Sequence, residues 1–118
     1  MFFILNLIQV FSALADNNRY KIINELLKRD YCVGGLAREL NISEAAVSQH
    51  LKILREAKLI SGEKNGYYRH YRVNKDLMIE ISKELVLLSE TEREKNTLCP
   101  PKNKETCVLC RLGKLEKK

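Results

Sequence analysis

The hydrophobic pattern changes its period several times along the chain. Residues 2–15 are apolar almost all the way round, with Phe2, Phe3, Ile4, Leu5, Leu7, Ile8, Val10 and Phe11 in one run. This predicts a helix buried on several sides. A chain of 118 residues has little material of its own to bury it, so a second subunit is expected to supply the missing surface. Asp16-Asn17-Asn18 reads as a break with a cap, after which Tyr20, Ile23, Leu26 and Leu27 mark an amphipathic second helix ending at Arg29-Asp30. A short helix over about 34–40 turns Leu36, Ala37 and Leu40 inward, and Asn41-Ile42 makes a turn. Ser43 is a good N-cap for the next helix, expected to run to Ala57. Val47, Leu51, Leu54 and Lys58 recur at helical spacing along one side of it.

Beyond that helix the period drops to two. Leu59–Lys64 and Tyr67–Val73 flank Asn65-Gly66, a strong hairpin signal. Tyr67, Arg69, Tyr71 and Val73 share one face of the second strand, and Tyr68, His70 and Arg72 the other. Residues 76–95 then predict a long helix, with Leu77, Ile81, Leu85 and Leu88 in register and Met78 and Val86 widening the stripe. Past Asn96 the pattern stops, and Pro100-Pro101 opens a Lys-rich tail with one short helix near Val108–Leu112. The expected fold is mainly α with a small β-hairpin wing, a winged helix-turn-helix that dimerises through its first and last long helices. Residues 1–96 are expected to form one dimerising domain and 97–118 a basic Cys-containing tail.

The polar side of the 43–57 helix directs the reading towards nucleic acid. Ser43, Glu44, Ala45, Ser48, Gln49 and Lys52 are small, polar or charged groups gathered near the helix N-terminus. Short hydrogen-bonding side chains there suit a helix that enters the DNA major groove. His50 falls nearer the apolar side and is expected to pack through a hydrogen bond rather than touch a base. Glu44, Ala45, Ser48 and Gln49 would lie nearest the bases, while Lys52, with Lys64 and Arg69 of the wing, would hold phosphates.

Charge agrees with this. The net charge of +6 is unevenly spread: residues 43–72 carry six Lys/Arg against three Glu, residues 96–118 six against two, and residues 76–95 only three against six acidic groups. The basic excess thus sits on the helix-turn-helix, the wing and the tail. Hydrophobic content of 45% and charge of 31% exclude a disordered chain. The apolar N-terminus lacks a basic leader and a cleavage site, and Asn6 and Gln9 interrupt it well short of the ~20 residues that span a bilayer. The expectation is a cytoplasmic protein with no membrane association, whose four cysteines are not structural disulfides.

The order of these elements resembles the ArsR/SmtB family of small dimeric winged-helix repressors. The residues that carry the resemblance are Leu14-Ala15-Asp16-x-x-Arg19-x-x-Ile22, Leu36-Ala37-x-x-Leu40, Ser48-Gln49-His50-Leu51-x-x-Leu54, Ala57-x-Leu59-Ile60, and Gly66 followed by Tyr71-x-Val73. The match covers about residues 5–90. It implies a homodimer that binds an inverted-repeat operator in double-stranded DNA and is released by an inducer, most often a metal or metalloid ion. The family's arsenic sensors carry a Cys-Val-Cys where this chain has Cys32-Val33-Gly34, so the second thiol is missing. Its zinc sensors use Asp and His pairs on the last helix, whereas His50 and His70 both lie elsewhere.

What remains for sensing is Cys99, Cys107 and Cys110, the last two in a C-x-x-C. Thiolates two residues apart converge on one soft ion, and Cys99 would complete a trigonal set for As(III), Cd(II) or Zn(II). Lys102, Lys104, Arg111 and Lys114 favour the thiolate forms. The resemblance allows this variant, since some family members sense arsenic through C-terminal cysteines. Two alternatives stand beside it: a reversible redox pair, and cysteines without a sensory role. Cys32 reads first as a small buried hydrophobe, and as a fourth ligand if the tail folds back onto it. An enzyme built on the C-x-x-C is disfavoured, because a dithiol oxidoreductase motif belongs in a βαβ setting that this chain lacks.

Overall fold

The computed structural model describes residues 4–66 and 68–94. Five helices and one hairpin follow in the order α1 (Ile4–Leu14), α2 (Asn17–Lys28), α3 (Val33–Leu40), α4 (Glu44–Glu56), β1 (Ile60–Asn65), β2 (Tyr68–Val73) and α5 (Lys75–Ser89). This is the expected winged helix-turn-helix topology. The short helix expected near Val108–Leu112 and the tail cysteines fall outside the described residues.

The core forms around the inner stripe of α4. Val47, Leu51 and Leu54 are fully buried, together with Val10 of α1, Ile22 of α2, Leu36 of α3 and Leu59 before the hairpin. Burying an aliphatic side chain of this size contributes roughly 1.5–3 kcal/mol, so α4 is fixed to three helices and the hairpin at once. On α2 the buried stripe is Ile22, Ile23 and Leu26, while Tyr20 and Leu27 are exposed. The expectation had Tyr20 and Leu27 facing inward. Arg19 explains the difference: it stands three residues before Ile22 and continues the inward stripe with a half-buried side chain, which turns Tyr20 out to solvent.

The helix ends follow local hydrogen-bonding chemistry. Asp16 caps α2, its carboxylate accepting from the Asn18 and Arg19 amides at 3.0 and 3.1 Å. The break is Ala15-Asp16, and Asn17 and Asn18 already belong to the helix. Ser43 caps α4 as expected, accepting from the Ala46 amide at 3.1 Å. The turn between α3 and α4 places Asn41 in the left-handed region at φ 57°, which Asn tolerates better than most side chains. Lys58 does not continue the apolar stripe of α4. The helix ends at Glu56, Ala57 takes the buried place, and Lys58 is exposed in the left-handed region at φ 66°. Its amide donates to Arg55 and the Leu59 amide to Leu54, closing a Schellman motif with lysine where glycine is usual.

In the hairpin Ile60 pairs with Val73, Gly62 with Tyr71 and Asn65 with Tyr68. Gly66 opens the two-residue loop at φ +70°, the positive value such a turn needs. The loop is thus one residue later than Asn65-Gly66 implied. Asn74 locks the base of the hairpin. Its amide donates to the Leu59 carbonyl at 2.8 Å, its side-chain amide to the Lys58 carbonyl at 3.2 Å, and its side-chain oxygen caps α5 at the Leu77 amide. α5 ends at Ser89, short of the expected residue 95. The apolar stripe stops at Leu88, and Glu90, Glu92 and Glu94 would place negative charge at a helix C-terminus, where the dipole disfavours it.

Because lysine holds the left-handed C′ position of α4, Lys58→Gly should stabilise the domain by about 0.5–1 kcal/mol. Thermal unfolding should rise by a few degrees; a fall in melting temperature would count against the motif.

Candidate nucleic-acid interface

The outward side of α4 is the first half of the candidate site. Ser43, Glu44, Ala45, Ser48, Gln49 and Lys52 are all exposed, while Val47, Leu51 and Leu54 hold the opposite side in the core. The Ser43 cap fixes the first turn, so these short side chains project from a rigid helix end whose dipole favours anions. Gly34, on the neighbouring α3, has room for no more than a contact here. A β-carbon at that position would meet the Glu44 Oε2 at 3.4 Å, so the Glu44 carboxylate lies against the start of α3.

The wing is the second half. Lys64 and Arg69 are cross-strand partners, and Arg69 is exposed. Its side chain lies over Gly62, where an added β-carbon would approach the Arg69 Cδ to 2.9 Å. Glycine at 62 therefore leaves the space that the arginine occupies. Arg72 is committed elsewhere: its Nε donates to the Glu63 carboxylate at 2.9 Å, and this bond raises its already high pKa. His70 faces the end of α2, with its Nδ1 4.0 Å from the Asp30 carboxylate.

On the core side of α4, His50 makes the packing contact expected of it. It is half-buried, and its Nδ1 lies 3.4 Å from the Arg19 guanidinium and 4.0 Å from the Asp16 carboxylate. Arg19 also donates to the carbonyls of Ala13 at 2.6 Å and Ser12 at 3.4 Å, at the end of α1. The backbone bond from the Arg19 amide holds the Asp16 carboxyl below its ordinary pKa, with the Arg19 charge acting in the same direction. Asp16 therefore supports α2 above the usual carboxylate range, and the cap is lost as pH falls through its lowered value. In the sequence Asp16 and Arg19 stand out only as members of a pattern, with no role of their own. Their role depends on His50, 31 residues beyond Arg19, which no local period reveals.

Of the expected thiol ligands the structure describes Cys32 alone. It is free and half-buried, and it occupies the N-cap of α3 without a side-chain capping bond. Burial is thus only partial for the small hydrophobe expected there. Among the described residues no group of three or more His, Cys, Asp or Glu side chains is close enough to hold a metal ion. Cys99, Cys107 and Cys110 lie outside the described residues. No helix among the described residues is long and apolar enough to cross a membrane.

The sequence pattern described as "Bacterial regulatory protein, arsR family" matches residues 16–61. The transcriptional repressor SdpR of Bacillus subtilis is 38% identical over 65 residues, which span 55% of this chain and 72% of SdpR. The chain belongs to the ArsR family of winged-helix transcriptional regulators. An arsenical resistance operon repressor of the same organism is 40% identical over 67 residues, 56% of this chain and 64% of that repressor. The solved structure of an ArsR-like transcriptional regulator from Rhodococcus sp. RHA1 superposes with a TM-score of 0.68 at 29% identity, covering 72% of this chain and 80% of that one. These relatives are regulators rather than enzymes. The matched pattern of the ArsR family, residues 16–61, takes in the α2 cap, Arg19, Cys32, all of α4 and the first residues of β1.

In an ArsR-family wing, the space at Gly62 should matter to DNA more than to folding. Gly62→Ala moves a flexible side chain, so stability should change by no more than about 0.5 kcal/mol. If Arg69 touches phosphate, the slope of log affinity against log salt should become shallower by about one. Anisotropy titrations on duplex DNA at several salt concentrations measure it, and an unchanged slope would remove Arg69 from the interface.

Proposed function

We propose that this chain is a homodimeric repressor that reads an inverted-repeat operator in double-stranded DNA. The observation that carries this reading is the division of α4. One side is fully buried, and the other presents Ser43, Glu44, Ala45, Ser48, Gln49 and Lys52 to solvent beside a basic wing. Glu44, Ala45, Ser48 and Gln49 contact base edges, and Lys52, Lys64 and Arg69 hold phosphates. The dimer is supported by apolar surface that one subunit cannot cover. Ile8 of α1 and Ile79, Leu85, Val86, Leu87 and Leu88 of α5 are each about half exposed or more, and Leu85–Leu88 form a run too apolar for a solvated helix end. Two recognition helices related by a two-fold axis would then read half-sites about one turn apart.

The chain divides its work at residue 96, with residues 1–96 binding DNA and dimerising and the tail 97–118 sensing. The inducer in this reading is a thiophilic ion, As(III), Cd(II) or Zn(II), held by the thiolates of Cys99, Cys107 and Cys110, with Cys32 as a fourth ligand. The donor set supports it: three sulfurs in a Lys/Arg-rich segment suit a soft cation. The kinship with arsenical resistance repressors points the same way. Cys99, Cys107 and Cys110 would hold such an ion, which would supply a soft cation for their thiolates. To release the operator it must bind more tightly to the DNA-free state. The C-x-x-C spacing of Cys107 and Cys110 favours a second reading, in which a two-electron oxidant takes an electron pair from the two thiols, both protons leave to solvent, and the S–S bond that forms releases DNA without an ion.

Two measurements test the reading. Gln49→Ala should weaken specific binding by roughly 1–3 kcal/mol and relax sequence preference, and an unchanged footprint would remove Gln49 from the bases. Anaerobic anisotropy on the protein's own promoter, with stoichiometric As(III), Cd(II) or Zn(II), should show release by one ion, lost in a Cys107→Ser/Cys110→Ser variant. Release by oxidant alone would select the disulfide reading. Tight binding indifferent to ions and oxidants would remove the tail from regulation.

A further inference from the structure

Between the helix proposed to dimerise and the helix proposed to read DNA stands a single side chain. Arg19 donates through Nε to the Ala13 carbonyl at 2.6 Å and through one terminal nitrogen to the Ser12 carbonyl at 3.4 Å, which fastens it to the last turn of α1. Its other terminal nitrogen reaches the His50 Nδ1 on α4 at 3.4 Å. Arg19 can only donate. In this geometry Nδ1 must therefore carry a lone pair, and the neutral ring must keep its proton on Nε2.

We propose that Arg19 and His50 form a proton-sensitive link that holds the recognition helix α4 in register with α1. The proposal rests on the repressor reading above. A proton taken from solvent at Nδ1 removes the lone pair that Arg19 uses and places two like charges side by side. The new N–H has an acceptor ready, since the Asp16 carboxylate is 4.0 Å from the same atom. Asp16 is already anchored by the Asn18 and Arg19 amides, so the ring turns to the cap of α2 and lets go of Arg19. The recognition helix keeps its tie to α2 and loses this tie to α1.

Among the described residues, Asp16 and Arg19 are the charged groups paired with His50. α1 has no ionisable side chain, and the residues one turn away from His50 on α4 are Ala46, Val47, Ile53 and Leu54. The remaining polar tie between α1 and α4 is remote, from the Gln9 side-chain amide to the Glu56 carbonyl at 3.3 Å. It holds the far end of α4, so loss of the Arg19 link leaves the DNA-reading end without its polar tie to α1 and its tilt set by the packing of Val47 and Leu51. In a dimer joined through α1, even a small change of tilt at that end changes the separation of the two reading heads, which DNA fixes at about one helical turn. Arg19 and His50 are thus positioning residues, with no contact to DNA.

The test compares wild type with His50→Asn, whose side-chain oxygen offers Arg19 an acceptor that does not protonate, and with His50→Leu, which offers none. Operator affinity of wild type should fall about threefold to tenfold from about pH 8 to about pH 5.5, the size expected for one hydrogen bond. His50→Asn should match wild type at the upper pH and lose that part of the fall. His50→Leu should bind about threefold to tenfold more weakly at both ends. His70 is present in every variant and cancels in the comparison. Superimposable pH profiles for wild type and His50→Asn would overturn the link. A second readout needs no DNA: nitrogen NMR of the His50 ring should show the Nε2–H tautomer at neutral pH, and an Nδ1–H tautomer would overturn the link. A wild type that binds no duplex at any pH would sink the repressor reading instead, leaving the link to be judged by the tautomer.

Discussion

Everything in this domain depends on the burial of one side of α4. Val47, Leu51 and Leu54 form the buried stripe of a helix that packs on α1, α2, α3 and β1 together, and none of the three is more than 1% exposed. A helix clamped so firmly on one side cannot roll. Its opposite side, with Ser48, Gln49 and Lys52, is therefore presented at a fixed angle to whatever docks there. Rigid presentation is what base readout requires, because hydrogen bonds to base edges tolerate little angular error. The same clamp explains why the polar groups on the exposed side can be small. They need not shield a core, since the core lies entirely behind them.

Much of this was legible in the sequence because α4 obeys two local rules at once. Its inner stripe has a single period, and Ser43 marks its start with a capping bond that the structure contains. Local rules failed where two solutions fit equally well. On α2 the sets Tyr20, Ile23, Leu27 and Ile22, Ile23, Leu26 are both helical faces, and only tertiary packing, with Arg19 drawn inward by the α1 carbonyls, decides between them. Lys58 failed for a related reason. It lies at the right spacing for the stripe, but the chain has already turned into a left-handed residue, and spacing carries no information about φ. The end of α5 was overestimated because the charged run after Leu88 is compatible with a helix in composition, and only its sign at the C-terminus argues against one.

The candidate site divides along the same line. The outward polar residues of α4 were recognisable from side-chain type and helix phase alone, since exposure and polarity are local properties. The Arg19–His50 contact was not, because it joins positions far apart in sequence that are adjacent only once α1, α2 and α4 have packed. His50 itself was readable as a packing residue, yet the identity of its partner came from the fold. Arg69 sits between these cases. Its charge and its place near the turn suggested contact with phosphate, whereas its dependence on the empty space at Gly62 follows from strand register.

The two halves of α5 complete the argument. Leu77 and Ile81 bury against the same core that holds α4, whereas Leu85, Val86, Leu87 and Leu88 extend beyond it with about half or more of their surface exposed. Four consecutive apolar residues sweep most of the way round a helix at about 100° per residue. A single flat contact covers only part of such a surface, so the end of α5 needs neighbours on more than one side. In the proposed dimer those neighbours are the partner's own terminal helices, with α1 contributing Ile8 from the opposite end of the chain. Placing association on the first and last helices leaves α4 and the wing free for DNA. It also routes one connection between the two functions through the end of α1, where the half-buried Arg19 joins the Ala13 carbonyl to His50 of α4.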